Sequence, residues 1–169
     1  DRLRVSTEEV PFRWMTGTQS HEGMAGTRAA IDHIAWIGRE VSGNEGLGRR
    51  EALKIAYSAI EEHERELCLR MIQGLADIDG LKIWGITNPE RIAERSPTVS
   101  FTHPKMVASE IGALLAERGI FVWAGNFYAL ELTEALGLEP EGVLRVGLLH
   151  YNSMEEVNFF ISSVREILG

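Results

Sequence analysis

The chain has 169 residues, enough for one ordinary domain, and its 44% apolar and 25% charged content is that of a soluble globular protein. That excludes a disordered or collagen-like chain, and a formal net charge of -8 makes it a poor candidate for tracking a nucleic-acid backbone. Fourteen of the 17 cations are Arg; only Lys54, Lys82 and Lys105 are available for chemistry that needs a lysine.

The single cysteine, Cys68, excludes a disulfide framework and a Cys-based zinc site, and fits a reducing, cytoplasmic setting. No run of about 18 apolar residues is present, so no membrane span is expected. The opening DRLRVSTEEVPFRW lacks the apolar stretch of a signal peptide. It starts without Met, and the expectation is a piece of a longer protein.

From Gly23 to Val41 the residues Ala30, Ile34, Ile37 and Val41 recur at helical spacing. SGNEGLG (Ser42 to Gly48) is a turn. A second helix is predicted from Arg49 to Ala76, with Leu53, Tyr57, Ile60, Leu67, Met71 and Leu75 as its apolar stripe and a solvated charge run opposite. After Gly80 the period becomes two. Strands are expected over Leu81–Ile86, Pro97–His103, Gly119–Gly125 and Val143–His150. Between them the pattern predicts a short helix capped by Thr87, a helix from Pro104 to Arg118 and a short one over Tyr128–Leu136. Ser153 and Glu156 form a capping box for a last helix whose inner face is Val157, Phe160, Ile161, Val164 and Leu168. The expected class is α/β: an α+β-like small domain with a four-stranded, mostly antiparallel sheet, helices on one face, preceded by two long helices.

Two places invite chemistry. Gly17 to Gly26 puts Thr18, Gln19, Ser20 and His21 among glycines ahead of a helix start, where free N–H groups and hydroxyls suit a phosphate; a plain helix cap is the other reading. Arg145 lies within an apolar strand, where a guanidinium is costly unless paired; it binds a carboxylate in a fork, snorkels from an edge or makes an internal salt bridge. The five histidines have no metal-ligand spacing and read as local hydrogen-bonding residues, His21 being the best placed for function. Cys68 beside an apolar stripe reads as an inert buried thiol. Trp123, Asn126, Phe127 and Tyr128, at the end of the third strand, either close the core or line a pocket.

Several blocks occur together in a known order: RWMTGT, YSAIEEHEREL, SPTVSF, GIFVWAGNFYA and LRVGLLHYNSMEEV. They resemble the C-terminal part of class V aminotransferases, the cysteine desulfurase-like subgroup in particular. The most specific marker is Arg145 followed by His150-Tyr151-Asn152 and Glu155-Glu156. The resemblance implies a fold-type-I pyridoxal-phosphate enzyme that acts on an amino acid through an aldimine, built as a homodimer with sites at the subunit boundary. In such enzymes the residue matching Thr18, with Gly17 and Gln19 beside it, reaches the cofactor phosphate in the neighbouring subunit. The strand arginine, here Arg145, binds the substrate carboxylate, with His21 and Asn126 as further substrate-binding candidates. Residues 1–48 would be the tail of the large cofactor domain with its linking helix, and 49–169 the small domain.

Two departures stand out. Trp123 and Tyr128 occupy positions where the subgroup carries an arginine and a nucleophilic cysteine, so persulfide chemistry is not expected; a lyase, epimerase or aminotransferase reaction remains open. None of the three lysines matches the Schiff-base lysine, so the chain by itself is expected to be inactive and to hold no cofactor. The competing expectation is an independent, non-catalytic binding or regulatory α/β domain.

Overall fold

The structure, a computed structural model, describes residues 7–15 and 17–169; the first six residues of the opening run and Thr16 of the RWMTGT block lie outside the described residues. The chain divides into two compact units, one ending at Ala59 and the other Ile60–Gly169.

The first unit contains α1 (His21–Ser42) and the start of α2 (Arg49–Ala76). Ser20 caps α1, its hydroxyl accepting from the Gly23 N–H, and Gly43, with φ 65°, ends it in the left-handed conformation. The apolar stripes are corrected here. Ala30 and Val41 of α1 and Tyr57 of α2 are exposed, and Ala35, Gly38, Ala52 and Ala56 are buried in their place. The reason is close approach. A Cβ on Gly38 would stand 1.8 Å from the Ala52 carbonyl oxygen, so small residues at the crossing let the backbones touch and rotate larger apolar side chains outward. Met24, Ile31, Trp36 and Val41 remain exposed along α1.

The second unit is a sheet with helices on one face. Its strands are β1 (Lys82–Trp84), β2 (Thr98–Thr102), β3 (Trp123–Gly125) and β4 (Val143–Gly147), in spatial order β1-β2-β4-β3, every pair antiparallel. The helices are the rest of α2, α3 (Ala108–Ala116), the short α4 (Leu130–Ala135) and α5 (Met154–Leu168). Val99, Phe101, Leu144 and Val146 point from the sheet into a core shared with Leu67, Met71, Leu75, Ile111, Leu115 and the predicted inner face of α5. Each such side chain contributes roughly 1.5–3 kcal/mol by leaving water.

The strands are shorter than their apolar runs. Residues before Trp123 have no partner on β4, and β4 stops at Gly147 because the Asn152 side chain turns back to accept the Leu149 N–H at 2.9 Å. The short helix after β1 is a 3-10 helix, Pro89–Glu94. Its cap is Asn88 rather than Thr87, since the Asn88 side chain reaches the Glu90 N–H at 3.0 Å. Helix α3 starts at Ala108, not Pro104. The segment before it is a turn held by His103, whose Nδ1 accepts from the Lys105 N–H while Nε2 donates to the Asp79 carbonyl, an arrangement one tautomer satisfies.

The α1–α2 crossing gives a paired test by urea unfolding. Gly38→Ala should cost about 2 kcal/mol or more, because the new methyl group meets backbone. Gly26→Ala, with open space on the same helix, should stabilise by roughly 0.5–1 kcal/mol.

Candidate substrate site on the open sheet face

The pleat sends alternate residues of each strand to opposite faces. Leu144 and Val146 go to the core, so Arg145 between them goes to the face without helices. There it pairs in register with Ser100 on β2 and Trp123 on β3, and Ser100 in turn faces Trp84 on β1. A transverse row Trp84–Ser100–Arg145–Trp123 thus crosses the open face.

Arg145 is half-buried on an inner strand, so it is not an edge arginine. Among the described residues no carboxylate forms an ion pair with it. Its guanidinium lies over the Phe127 ring, 3.9 Å from the centroid, with the Trp123 ring at 5.7 Å. Trp123 and Phe127 meet edge to face at 6.1 Å. A cation held over a ring in this way gains about 0.5–2 kcal/mol, and the N–H groups of a guanidinium suit a planar anion. Thr98, Phe121, Val122 and Gly147 complete a concavity with Arg145 and Trp123. Trp123 is 65% exposed and Tyr128 fully exposed, so these aromatics do not close the core.

The loop after β3 is shaped for this contact. Phe127 and Tyr128 both adopt left-handed backbone, φ 56° and 62°, which costs of order 1–3 kcal/mol at each non-glycine residue. Asn126 offsets that cost. Its Oδ1 accepts from the Tyr128 N–H at 3.2 Å, and its Nδ2 donates to Glu139 at 3.3 Å. The buried Thr133 hydroxyl donates to the same Glu139 oxygen. Gly142, φ 67°, lets the chain pass against Gly125, where a Cβ would stand 2.3 Å from backbone.

The YNSMEE marker has a structural meaning. Ser153 accepts from the Glu156 N–H, and the Glu156 carboxylate accepts from the Ser153 N–H at 2.8 Å and the Asn152 amide at 3.3 Å. Those bonds, the Ser153 N–H first, hold the Glu156 carboxyl below its ordinary range. The Asn152 carbonyl also receives His63 from α2 at 2.9 Å. The motif therefore fixes the turn that follows the strand of Arg145.

Gly17, Thr18, Gln19 and His21 all belong to the first unit and are exposed at the start of α1; Arg145 and Asn126 belong to the second. Gln19 lines a shallow concavity with Ser20, Gly23, Thr27 and the cations Arg28 and Arg49. Phe127 as the floor beneath Arg145 was not legible in sequence; an aromatic run beside an inner-strand arginine is the available signal. Among the described residues no three His, Cys, Asp or Glu side chains gather as a metal cluster, and no helix is long and apolar enough to cross a membrane. Cys68 is buried. Burial pushes its thiol above the ordinary value, and the charge of Arg95 only partly opposes this.

A family model described as aminotransferase class-V matches residues 3–160. The aminotransferase-like protein FGM3 of Gibberella zeae is 37% identical over 68% of this chain and 29% of its own length. A probable cysteine desulfurase of Xylella fastidiosa is 30% identical over 94% of the chain and 33% of its own length. The apo structure of a cysteine desulfurase from Thermococcus onnurineus superposes with TM-score 0.73 at 26% identity, covering 94% of this chain and 34% of that one. The chain spans about a third of the length of the relatives it matches.

The folded chain holds the Cys68 proton more tightly than the unfolded chain does. Its contribution to stability is therefore full below the ordinary thiol value and is lost as pH rises toward the higher folded value. Cys68→Ala should flatten that alkaline decline in unfolding free energy. Alkylation of Cys68 should be slow in the native protein and fast in urea.

Proposed function

Because this chain belongs to the class-V aminotransferase family, we propose that it forms the substrate-carboxylate side of a pyridoxal-phosphate-dependent enzyme acting on an amino acid. The observation that carries this reading is Arg145: a guanidinium whose Cζ lies 3.9 Å from the centroid of the Phe127 ring beneath it and which, among the described residues, has no carboxylate partner. In this reading its fork takes the α-carboxylate and so fixes the position of the α-carbon. Asn126 acts by shaping the loop that holds Phe127.

The residues suit the anionic end of the cofactor. Thr18 and Gln19 stand exposed immediately ahead of a 22-residue helix, where unpaired N–H groups and the helix dipole favour a phosphate. We assign Thr18, with Gly17 and Gln19, to the phosphate bound by a second subunit of a homodimer, and His21 to the substrate side. Bound there, the cofactor supplies an electron sink for charge that develops at the substrate α-carbon. The lysines do not suit the covalent end: the Lys82 ammonium lies 3.6 Å over the Trp84 ring, and Lys54 and Lys105 are exposed. The covalent lysine is assigned outside these 169 residues, which alone would not catalyse. In domain terms residues 1–48 are the tail of the cofactor domain with its linking helix, and 49–169 the small domain.

The reaction branch follows from the thiols. Tyr128 stands where the resemblance places a cysteine, and a phenol cannot carry a persulfide. Cys68 is buried with its thiol held in the protonated form. The proposed chemistry is accordingly transamination, lyase cleavage or epimerisation. A single buried thiol also suits a reducing, cytoplasmic setting.

In the full-length protein Arg145→Gln should weaken amino-acid binding roughly 10- to 100-fold, the range of a charge-assisted hydrogen-bonded pair. Titration of the cofactor absorbance with amino acid measures it, and an unchanged affinity would sink the carboxylate role. Thr18→Val should weaken pyridoxal-phosphate binding about tenfold, as one hydrogen bond to a charged group predicts. Equilibrium dialysis reads this effect, and the midpoint of unfolding without cofactor should not move, since Thr18 is exposed.

A further inference from the structure

The concavity beside Arg145 has a chemical character of its own. Arg145 is the only charged residue among Thr98, Phe121, Val122, Trp123, Arg145 and Gly147, which line it. Phe121 is 86% exposed and Trp123 65%, both large apolar surfaces with no core role. Trp123 is directly opposite Arg145 across the β3–β4 pair, on the same face, and its ring meets Phe127 edge to face. A ligand whose carboxylate reaches the guanidinium therefore has aromatic surface within one side chain's length of that carboxylate. Among the described residues that line the concavity, Arg145 is the one cation and none is a carboxylate.

We propose that Trp123, with Phe121 beside it, makes this site selective for carboxylates carrying an uncharged apolar side chain, aromatic ones most strongly, so that the substrate is an apolar amino acid. The proposal rests on Arg145 as the carboxylate group and adds what surrounds it. Its physical basis is burial of ring against ring: an aromatic side chain removes exposed tryptophan and phenylalanine surface from water, and offset or edge-to-face contact adds to that gain. A dicarboxylate gains nothing equivalent and loses hydration of its second charge.

The test uses full-length protein and unreactive probes that lack an amino group: 3-phenylpropionate, propionate and glutarate, titrated by calorimetry or ligand-observed NMR. The expected result is 3-phenylpropionate binding at least tenfold tighter than propionate, with glutarate no tighter than propionate. Trp123→Ala should bring the ratio of 3-phenylpropionate to propionate affinity toward one. Trp123 is exposed on an edge strand, and Phe121→Ser, at a more exposed position, gives a second variant that should lower the same ratio. Arg145→Gln should weaken both monocarboxylates by a similar factor and leave the ratio standing. Equal affinities for 3-phenylpropionate and propionate in the unaltered protein, or glutarate binding tightest, would overturn the selectivity while an effect of Arg145→Gln still upheld the carboxylate role. If Arg145→Gln changed neither affinity, the carboxylate role would fall and the selectivity built on it would fall too.

Discussion

The register of β4 is the constraint on which the second unit depends. Leu144 and Val146 pair with Phe101 and Val99 in the core, and that pairing sends Arg145 to the opposite face. A slip of one residue would drive a guanidinium into a core that, among the described residues, holds no buried carboxylate, and would expose two apolar side chains. The core thus enforces the position of the polar group, and the site inherits its precision from packing rather than from its own contacts. The capping box at Ser153 and Glu156 closes the turn after the strand and secures the same register from its other end.

The sequence was most legible where one signal dominated. Period-two alternation marked the four strands, and the inner face of α5 matched its predicted residues because a capping box set the phase of a strongly amphipathic helix. The stripe of α1 was misread because burial there follows backbone proximity: Gly38 and Ala52 are inside for being small, which a hydrophobic period cannot register. Strand ends were overextended for a related reason. Apolar runs such as Gly119 to Val122 continue past the last residue that has a partner on the neighbouring strand. At the site, an arginine within an apolar strand was visible as an anomaly. Its seat on Phe127 was not, since two consecutive left-handed residues without a glycine leave no compositional trace.

Family membership and local chemistry bear on different questions. The match along the chain accounts for the topology and for the order of the blocks. It does not decide the reaction, because relatives named as aminotransferase-like and relatives named as cysteine desulfurases both match the chain, and the chain spans only about a third of each. A phenol on an exposed strained turn and a thiol in the core are physically unsuited to forming a persulfide, whatever fold surrounds them.

The Asn126–Glu139–Thr133 network joins the loop after β3 to the segment that leads into β4. Two stretches separated along the chain are thereby geared together. Glu139 is bonded to Asn126, and Asn126 holds the loop that carries the ring beneath the guanidinium. The centroid of that ring lies 3.9 Å from the guanidinium carbon. A contact made well away from the open face, on the surface around α4, therefore has a mechanical route to the aim of Arg145.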